Sequence, residues 1–383
     1  MWEMEKKTTS VRVDLSREAD DRSYDILIRG GILGQLGAGV HPLPEAGSYF
    51  IVSDSKVAGL YGRKLQAGLS SLGRGRVHLL SFPGGEKRKN VRTAEVLASG
   101  LSKLGADRGS IILALGGGVV GDVAGFVASI YKRGIGYVQL PTTLLAQVDS
   151  SIGGKTGVDA PWGKNQIGTF HQPLAVFSDP SVLKTLPRSE MINGMAEIVK
   201  CAVIADSRMF ARVSSPPAHL ESGVPTELIA GACRVKAEVV SKDERERNLR
   251  AILNYGHTVG HAIESSSEYR LRHGLSVILG MLAEGWIAVR MGILDEKDLE
   301  KQDQVLLRLL KHAGAARARP ALKSKSALLR FALADKKTTS SSLRMSLPER
   351  IGKMHSTRDG SYKIPVPEAV FLQSIDYLKA TTR

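Results

Sequence analysis

The chain has 383 residues, of which 43% are hydrophobic and 24% charged, and a formal net charge of +15. This length allows two domains with separate cores, and the composition excludes a wholly disordered chain. No apolar run approaches the roughly 18–20 residues of a membrane-spanning helix, and the charged first residues predict neither a secretory signal nor a transit peptide. Two cysteines are too few for a disulfide framework, so we expect a cytoplasmic protein without a membrane partner.

Much of the positive charge lies in residues 311–383, which contain 15 basic and 5 acidic side chains. A nucleic-acid-binding surface is one explanation. The segment has few aromatic residues, no recognised DNA- or RNA-binding motif and no compact basic cluster beyond KSK and DKK. We therefore expect a solvated basic surface and no nucleic-acid partner, and either kind of surface would attract a small anionic substrate.

Apolar segments of β type alternate with helical patterns through the first half of the chain. Strands are predicted at residues 48–54, 76–82, 110–118 and 135–141. This alternation is typical of a parallel sheet with crossover helices. Helical periodicity dominates from about residue 186, without a convincing strand until near residue 343. We predict an α/β domain over residues 1–185 and a mainly helical domain over residues 186–383.

The segment GGGVVGD follows a predicted strand and begins a predicted helix. Gly116, Gly118 and Gly121 match G-x-G-x-x-G, in which the absence of side chains lets backbone N–H groups approach a pyrophosphate. The acidic residue expected about 20 residues later, at a second strand end, is missing. A purely structural glycine turn is therefore an equally good interpretation of this motif alone.

Two other features favour a nucleotide. Asp54 ends an earlier predicted strand, where it could hold a ribose hydroxyl, and GGEKRK (residues 84–89) supplies another turn with glycines and charges. The later segment SSIGGKT resembles a phosphate-binding P-loop, but Asp149 occupies the position of the first glycine. This departure argues against a P-loop NTPase.

Several cations stand in turn-like or apolar contexts, where a charge is costly unless an anion meets it. They are Arg133, Lys155, Lys164 beside Asn165, Lys200, Lys236, Arg250, Lys336 and Lys337. Solubility alone is the alternative role and holds for most of the 53 basic residues. The set fits a substrate that carries both a phosphate and a carboxylate.

The segment LNYGHTVGHAIE contains His257 and His261, which a helix would place on one face, one turn apart. Thr258 replaces the glutamate of the metalloprotease motif H-E-x-x-H, so the general base of that motif is absent. A histidine whose hydrogen bonds are satisfied in the core is the commoner explanation for either residue. The neighbouring sequence, however, favours a functional role for the pair.

His273 follows shortly afterwards, and Glu246 and Glu264 lie nearby in sequence. Glu197 stands within an apolar helical pattern, where an unpaired carboxylate would be costly. Two imidazoles and one carboxylate form a three-ligand zinc site with a position open for substrate oxygens. The sequence thus offers a possible metal site without specifying which residues form it.

Together these motifs resemble the 3-dehydroquinate synthase family. The matching stretches, in order, are GGEKRK, GGGVVGDVAGF, YKRGIGYVQLPTTLLAQVDSSIGGKTGVD, GKNQIGTFHQP, LKTLPRSE, GMAEIVK, LNYGHTVGHAIE, HGLSVILGM and ADKK. The resemblance implies an α/β Rossmann-like NAD-binding domain, an all-α C-terminal domain and a homodimer. It also implies conversion of the sugar phosphate 3-deoxy-D-arabino-heptulosonate 7-phosphate to 3-dehydroquinate and phosphate in the shikimate pathway, with NAD and a divalent metal, Zn2+ or Co2+.

The resemblance also implies roles for individual residues. The metal ligands would be Glu197, His257 and His273, so that His261 would face the substrate as a proton-transfer group. NAD would contact Asp54, Gly84, Gly85, Glu86, Lys89, Gly117, Gly118, Val119, Gly121, Asp122, Thr142, Thr143, Asp149, Lys155, Lys164, Thr185, Leu186 and Glu190. Substrate phosphate would meet Arg133, Asn165, Lys200 and Lys336 or Lys337. The carboxylate and hydroxyls would meet Lys155, Lys236, Arg250 and Asn254, with Glu246 close by.

The sequence departs from the family pattern after His273. The family usually continues Gly-Glu-Ala, whereas this chain has Gly274, Leu275 and Ser276. The missing glutamate removes an expected partner of a ligand imidazole, which predicts altered metal affinity or turnover. Other departures, none of them at a proposed ligand or cation, are Lys56, Asn193 and Asn248.

Three alternatives remain open. A related sugar phosphate cyclase, such as 2-deoxy-scyllo-inosose synthase or 2-epi-5-epi-valiolone synthase, would share the metal and NAD but lack groups for a substrate carboxylate. Arg250, Asn254 and the DKK lysines favour the carboxylate. Oxidoreductases like glycerol dehydrogenase share the fold but lack GGKTG, GKN and NYGHTVGHA. A catalytically silent binding protein would be expected to lose cations or ligands that this chain keeps.

Overall fold

The structure, a computed structural model, describes residues 8–16, 21–37, 43–73, 75–214, 223–268, 270–313, 322, 324–334 and 343–382. The chain divides into two compact units, Met1–Leu186 and Pro187–Arg383. Within the described ranges, no helix has both the length and the apolar character needed to cross a bilayer.

A seven-stranded sheet forms the centre of the first unit. The strands of this unit are β1 (Thr9–Val13), β2 (Tyr24–Ile28), β3 (Ser48–Asp54), β4 (Arg76–Phe82), β5 (Ile111–Gly116), β6 (Gly136–Pro141), β7 (Lys155–Ala160), β8 (Gly163–Phe170) and β9 (Ala175–Ser178). The sheet order is β1-β2-β9-β6-β5-β3-β4. Only the β1–β2 pair is antiparallel; the other neighbouring pairs are parallel. The four strands predicted from the apolar runs correspond to β3, β4, β5 and β6.

Helices connect the parallel strands of this sheet. They are α1 (Ser55–Val57), α2 (Arg63–Ser71), α3 (Val91–Lys103) and α4 (Gly118–Ile130). The unit also has π-helical turns at Ala58–Gly62 and Ala146–Ser150. Its 3-10 turns are Ile32–Gln35, Glu86–Arg88, Tyr131–Arg133 and Pro180–Thr185. Alternate residues of the central strands enter different apolar clusters. Phe50 of β3 packs with Val123 of α4, whereas its neighbour Ile51 packs with Leu65 of α2. Both faces of the sheet are therefore buried, which explains the continuous apolar runs in the sequence.

The connections reverse direction between β3 and β5. After β3 the chain adds β4 on one side, and it then returns to place β5 and β6 on the other. Ser53 pairs with Leu115, so Asp54 and Gly116 end adjacent strands at the same edge. Ligands of open α/β sheets bind at such switch points, outside the carboxyl ends of the strands.

Strands β7 and β8 form a separate antiparallel hairpin. The turn-like contexts assigned to Lys155 and Lys164 from the neighbouring glycines are wrong, because both residues lie on these strands. Gly157 and Gly168 allow the two backbones to approach closely: a Cβ at either would lie within 2.7 Å of a backbone oxygen on the other strand. Glycine here serves strand packing instead of a turn.

Helices make up most of the second unit. They are α5 (Arg188–Ala205), α6 (Ser207–Ser214), α7 (Thr226–Lys242), α8 (His257–Ser266), α9 (His273–Arg290), α10 (Glu296–Ala313), α11 (Lys325–Ala334) and α12 (Glu368–Thr381), with a 3-10 turn at Leu249–Asn254. Two small antiparallel pairs join β10 (Arg344–Met345) to β13 (Ile364–Pro365) and β11 (Pro348–Arg350) to β12 (Lys353–Met354). The helical pattern predicted through LNYGHTVGHAIE is interrupted at Gly256, whose φ of 79° is left-handed, and α8 begins at the next residue.

Candidate functional site

Glu197 occupies the middle of α5 and is fully buried. The ammonium of Lys200, one turn later and 2% exposed, forms an ion pair with it. Neither carboxylate oxygen accepts a hydrogen bond of normal geometry from the residues that the structure describes. Burial alone would raise the pKa of Glu197, but Lys200 and two imidazoles outweigh burial and hold it well below its usual range. The site therefore contains a buried anion that further cations can stabilise.

Two histidines from other helices face this carboxylate. The Nε2 atoms of His257 and His273 lie 3.7 and 3.6 Å from Oε1 of Glu197. One ligand atom from each of the three residues fits within a span of 4.8 Å. Atoms bound about 2.0–2.2 Å from a tetrahedral zinc ion lie roughly 3.3–3.6 Å apart. The three side chains thus have the chemistry and spacing of a divalent metal site with an open position.

The ring of His257 has a fixed orientation. Its Nδ1 lies 3.1 Å from the carbonyl oxygen of Tyr255, so we assign the ring proton to Nδ1, which donates it to that oxygen. Nε2 therefore carries the lone pair, which is directed towards Glu197. Burial, followed by the Lys200 ammonium, holds the pKa of His257 well below its usual range. The imidazole is therefore neutral, as a metal ligand must be.

His261 lies beside this group on the same helix. Its ring meets that of His257 edge-on at 5.3 Å and lies 6.1 Å from that of His273. His261, Glu264 and His273 form a second set whose ligand atoms lie within 4.8 Å of one another. The geometry places His261 at the edge of the first group, where a bound molecule could reach it.

Sequence reasoning gave no role to Glu264, although its spacing offered a signal. Glu264 lies two turns after His257 on the same helix face, and its Oε2 is 3.5 Å from Nδ1 of His273. Burial lowers the pKa of His273, but Glu197 and Glu264 outweigh burial and raise it to about 9. A carboxylate therefore faces His273 even though Leu275 replaces the glutamate that the family pattern usually supplies.

Glycines bring α8 and α9 close together. A Cβ at Gly280 would lie 1.7 Å from the carbonyl oxygen of Gly256, and one at Gly260 would lie 2.9 Å from that of Ser276. Glu284 of α9, which is fully buried, accepts hydrogen bonds from the backbone N–H groups of Gly256 and Val259 at 2.7 and 2.9 Å. It thereby caps the helix that carries His257. Sequence reasoning missed Glu284, since no local pattern links it to that helix.

Besides Lys200, two further buried cations of the second unit lie on α7 and in the 3-10 turn that follows it. Lys236 is 7% and Arg250 is 3% exposed. The guanidinium of Arg250 donates to the carbonyl oxygen of Glu244, and the amide of Asn254 donates to Glu246 at 2.7 Å. Buried charges of this kind suit an anionic ligand.

Asp243 organises that loop. Its carboxylate accepts from the backbone N–H groups of Arg247, Asn248 and Arg250 at 2.8–3.0 Å. Asn248, one of the departures from the family pattern, bonds to Gly360 and Tyr362. Lys336 and Lys337, predicted to meet phosphate, lie outside the described residues.

In the first unit, the glycine turn lies between β5 and α4, as predicted. Gly116, Gly117 and Gly118 have no left-handed φ among them. Added Cβ atoms would instead meet Val120 at 2.5 Å, Thr143 at 3.0 Å and Ser150 at 3.0 Å, respectively. The glycines are thus required for close packing, and the same lack of side chains leaves the start of α4 accessible to an anion.

Charged predicted residues cluster beside this turn. Lys89, which is 6% exposed, lies 2.5 Å from both Asp122 of α4 and the side-chain oxygen of Asn165. Burial lowers the pKa of Lys89, but Asp122 outweighs it and the pKa is raised. Lys164 lies 3.6 Å from Glu86. The sequence indicated each of these residues but did not predict that they pair with one another.

Other predicted nucleotide residues occupy strand ends and turns. Asp54 caps α1 by accepting from the N–H groups of Lys56 and Val57. The Thr142 hydroxyl is buried and has no hydrogen-bond partner among the described residues. The remaining positions are Gly84 and Gly85 before the turn Glu86–Arg88, Val119 and Gly121 on α4, Thr143 after β6, Asp149 in the turn Ala146–Ser150, Thr185 and Leu186 at the end of the unit, and Glu190 on α5 of the second unit.

Arg133 does not lie with the glycine turn. It follows the far end of α4, so about 20 Å of helix separates it from Gly118. Three predicted site residues, Arg133, Asn165 and Glu246, have left-handed φ values of 70°, 54° and 57°. Such conformations are uncommon outside glycine, and they concentrate at functional sites.

Models of the 3-dehydroquinate synthase N-terminal and C-terminal domains match residues 79–193 and 194–338. A 3-dehydroquinate synthase from Thermodesulfovibrio yellowstonii is 45% identical over 341 residues, which cover 88% of this chain and 94% of that protein. A crystal structure of 2-deoxy-scyllo-inosose synthase complexed with carbaglucose-6-phosphate, NAD+ and Co2+ is 28% identical, with a TM-score of 0.82 over 96% of this chain and 99% of that one. The 2-epi-5-epi-valiolone synthase from Streptomyces hygroscopicus, with NAD+ and Zn2+ bound, is also 28% identical, with a TM-score of 0.82 over 95% of this chain and 98% of that one.

The two domain models together span most of the chain, and the full-length similarity agrees with them. The chain belongs to the 3-dehydroquinate synthase family.

Proposed function

We propose that this chain is a 3-dehydroquinate synthase, a lyase that converts 3-deoxy-D-arabino-heptulosonate 7-phosphate to 3-dehydroquinate and phosphate. The observation that carries the proposal is the convergence of Glu197, His257 and His273 on one point beside the buried cation Lys200. A metal would offset the buried charge of Glu197, and the ammonium would meet an anionic substrate. Similarity to named synthases along most of the chain supports the reaction.

The metal ligands in this proposal are Glu197, His257 and His273. When bound, the metal polarises substrate oxygens and NAD takes and returns a hydride. Zn2+ and Co2+ accompany NAD+ in the two solved cyclases at 28% identity. Two nitrogen ligands and one oxygen ligand suit either ion.

NAD in this proposal binds at the switch point of the first unit. Asp54 and Gly116 end adjacent strands there, and α4 begins immediately afterwards. The helix N-terminus would hold the pyrophosphate and Asp54 a ribose hydroxyl. The buried Thr142 hydroxyl, which has no partner in the described part of the chain, supports a ligand at this edge.

The side chains of the second unit would bind and orient the substrate. Lys200 would meet the phosphate, while Lys236 and Arg250 would hold the carboxylate and hydroxyls in fixed positions. Because these cations are buried, they would be stronger electrostatic partners than exposed ones. His261 would move a proton at the substrate, and Asn254 with Glu246 would bond a hydroxyl. Arg133 and Asn165 remain proposed phosphate contacts.

The main competing proposal is that the chain catalyses the reaction of another sugar phosphate cyclase in place of the synthase reaction. The 3-dehydroquinate synthase from Thermodesulfovibrio yellowstonii is 45% identical to the chain, whereas the two cyclases of known structure are each 28% identical to it. The buried Arg250 also suits a substrate with a carboxylate. These observations favour the synthase.

A cytoplasmic homodimer is proposed as the working form, with no nucleic-acid partner. Cys201 and Cys233 are buried and form no disulfide, which suits a reducing compartment. Ile130, Phe170 and Leu174 of the first unit are 41–49% exposed, and large exposed apolar side chains can mark a subunit interface. Light scattering after size-exclusion chromatography would give about twice the 41.2 kDa chain mass; a value of one chain mass would contradict the dimer.

The function is tested with purified protein, NAD and Zn2+. Phosphate release from 3-deoxy-D-arabino-heptulosonate 7-phosphate is expected, and it should stop after dialysis against a chelator and return with the metal. Glucose 6-phosphate, which lacks the carboxylate, is the matched control and should release none. Release from the control alone would favour the 2-deoxy-scyllo-inosose synthase reaction, and no release from either substrate would refute the proposal.

A further inference from the structure

The two ring nitrogens of His273 have different surroundings. Nε2 lies 3.6 Å from the Glu197 carboxylate, on the side of the proposed metal. Nδ1 lies 3.5 Å from Oε2 of Glu264, a side chain that is only 7% exposed as a residue. The nitrogen that would not bind metal therefore faces a second buried acid.

We propose that Glu264 and Asn193 are positioning residues for His273. Glu264 orients the imidazole ring, and Asn193 holds the first turn of the helix from which the ring projects. The inference rests on the proposed metal site and adds to it two residues that have no assigned role. We call Glu264, Asn193 and His273 the clamp.

Glu264 acts through a charge-assisted hydrogen bond. A neutral imidazole has one N–H and one lone pair. A carboxylate facing Nδ1 favours the tautomer that keeps the proton there, which leaves the Nε2 lone pair for the metal. Because Glu264 and His257 share α8, one helix supplies both a ligand and the group that orients another ligand.

Asn193 acts on the backbone. Helix α9 begins at His273, and Arg272, at its N-cap, makes no side-chain capping bond. The Oδ1 atom of Asn193 instead accepts from the N–H of Gly274 at 3.1 Å, and its amide donates to Glu190 at 2.8 Å. Asn193 thus satisfies an N–H group that the helix itself leaves unpaired.

The same residue ties two ligand-bearing helices together. Asn193 lies one turn before Glu197 on α5, and a Cβ at position 274 would lie 2.4 Å from its Cα. The close approach requires glycine at 274. The start of α9 is therefore fixed relative to the carboxylate that it must approach.

A second cation is the alternative explanation for the carboxylate. His261, Glu264 and His273 could together hold one, since their ligand atoms lie within 4.8 Å. Metal on both nitrogens of His273 would require an imidazole without any proton, whereas a carboxylate acceptor requires only the neutral ring. The chemistry therefore favours positioning, and the two explanations predict different metal stoichiometries.

The test measures zinc binding to metal-free protein by competition with a coloured chelator, and cobalt binding by visible absorption. The variants are Glu264→Gln, Glu264→Leu and Asn193→Leu. Glu268→Gln is the matched control, because Glu268 is exposed and pairs with Arg270. Thermal unfolding of each metal-free protein identifies variants that fail to fold.

Wild-type protein should bind one ion per chain. Zinc binding should weaken about 10–100-fold in Glu264→Leu, less in Glu264→Gln, whose carbonyl oxygen still accepts, and measurably in Asn193→Leu. The cobalt spectrum should change in the Glu264 variants and stay constant in the control. Unchanged affinity and spectrum in folded Glu264→Gln and Asn193→Leu, or two ions per wild-type chain, would overturn the clamp. A wild-type protein that binds no ion would overturn the proposed metal site as well.

Discussion

Replacing Lys200 with methionine separates two roles of that side chain. The ammonium neutralises Glu197 in the metal-free protein and, in our proposal, meets the substrate phosphate. Lys200 is 2% and Glu197 0% exposed, so methionine preserves much of the volume while leaving the carboxylate without its cation. Removing one partner of a buried ion pair costs about 3–5 kcal/mol.

That cost should depend on metal. For a unit of this size, about 3–5 kcal/mol lowers the unfolding midpoint by about 6–20 °C. Saturating zinc would replace the lost positive charge at Glu197, so the midpoint should fall less in its presence. By linkage, the variant should bind zinc more tightly than wild type even as its phosphate release falls. Affinity and activity would then change in opposite directions.

The assay is thermal unfolding at pH 8 with and without zinc, together with zinc titration and phosphate release. Lys301→Met is the matched control, since Lys301 is an exposed partner of Asp298 and its loss should lower the unfolding midpoint much less. Equal midpoint losses with and without zinc, or weaker zinc binding in Lys200→Met, would refute the reasoning.

Four other substitutions test the site and the fold. His257→Ala should lose zinc, whereas His261→Ala should keep zinc but turn over substrate more slowly. Metal analysis and phosphate release measure these two effects. Equal zinc loss in both variants would mean that the roles of the two histidines are wrongly divided. Asp54→Ala should remove the cap of α1 and lower the free energy of unfolding by about 0.5–2 kcal/mol. It should also weaken NAD binding in a fluorescence titration. NAD binding as tight as in wild type would exclude the ribose contact. Asp303→Asn should raise the unfolding midpoint at pH 8 but not at pH 4. Burial raises the pKa of Asp303 to about 6, so the folded wild-type protein loses stability as pH rises from about 4 through 6. An increase in unfolding midpoint of equal size at pH 8 and pH 4 would contradict this reasoning.

Much of the first unit could be predicted because its central strands are buried on both faces. Continuous apolar runs therefore marked β3, β5 and β6 directly. Strands β1 and β2, at one side of the sheet, escaped prediction, since each is five residues long and only alternate residues are fully buried. The β7–β8 hairpin was taken for turns because glycines adjoin both lysines. Gly153 and Gly154, which precede β7, do have left-handed φ values, but Gly157 and Gly168 allow close contact between the strands.

The metal site was partly predictable. The spacing of His257 and His261 indicated one helix face, but nothing local could show that α5 and α9 would deliver Glu197 and His273 to the same point. Only the family resemblance selected that set. Glu284 and Asn193 act through contacts distant in sequence, with backbone N–H groups as partners. Side chains that bond to distant backbone leave no pattern along a single sequence, so only the fold reveals them.

The central claim is that Glu197, His257 and His273 bind one metal ion together. Anomalous diffraction at the zinc edge from crystals grown with Zn2+ and NAD tests it most directly. One peak about 2.0–2.2 Å from Oε1 of Glu197 and from Nε2 of both histidines is expected. A peak bound by His261 and Glu264 instead, or no peak near Glu197, would contradict the claim.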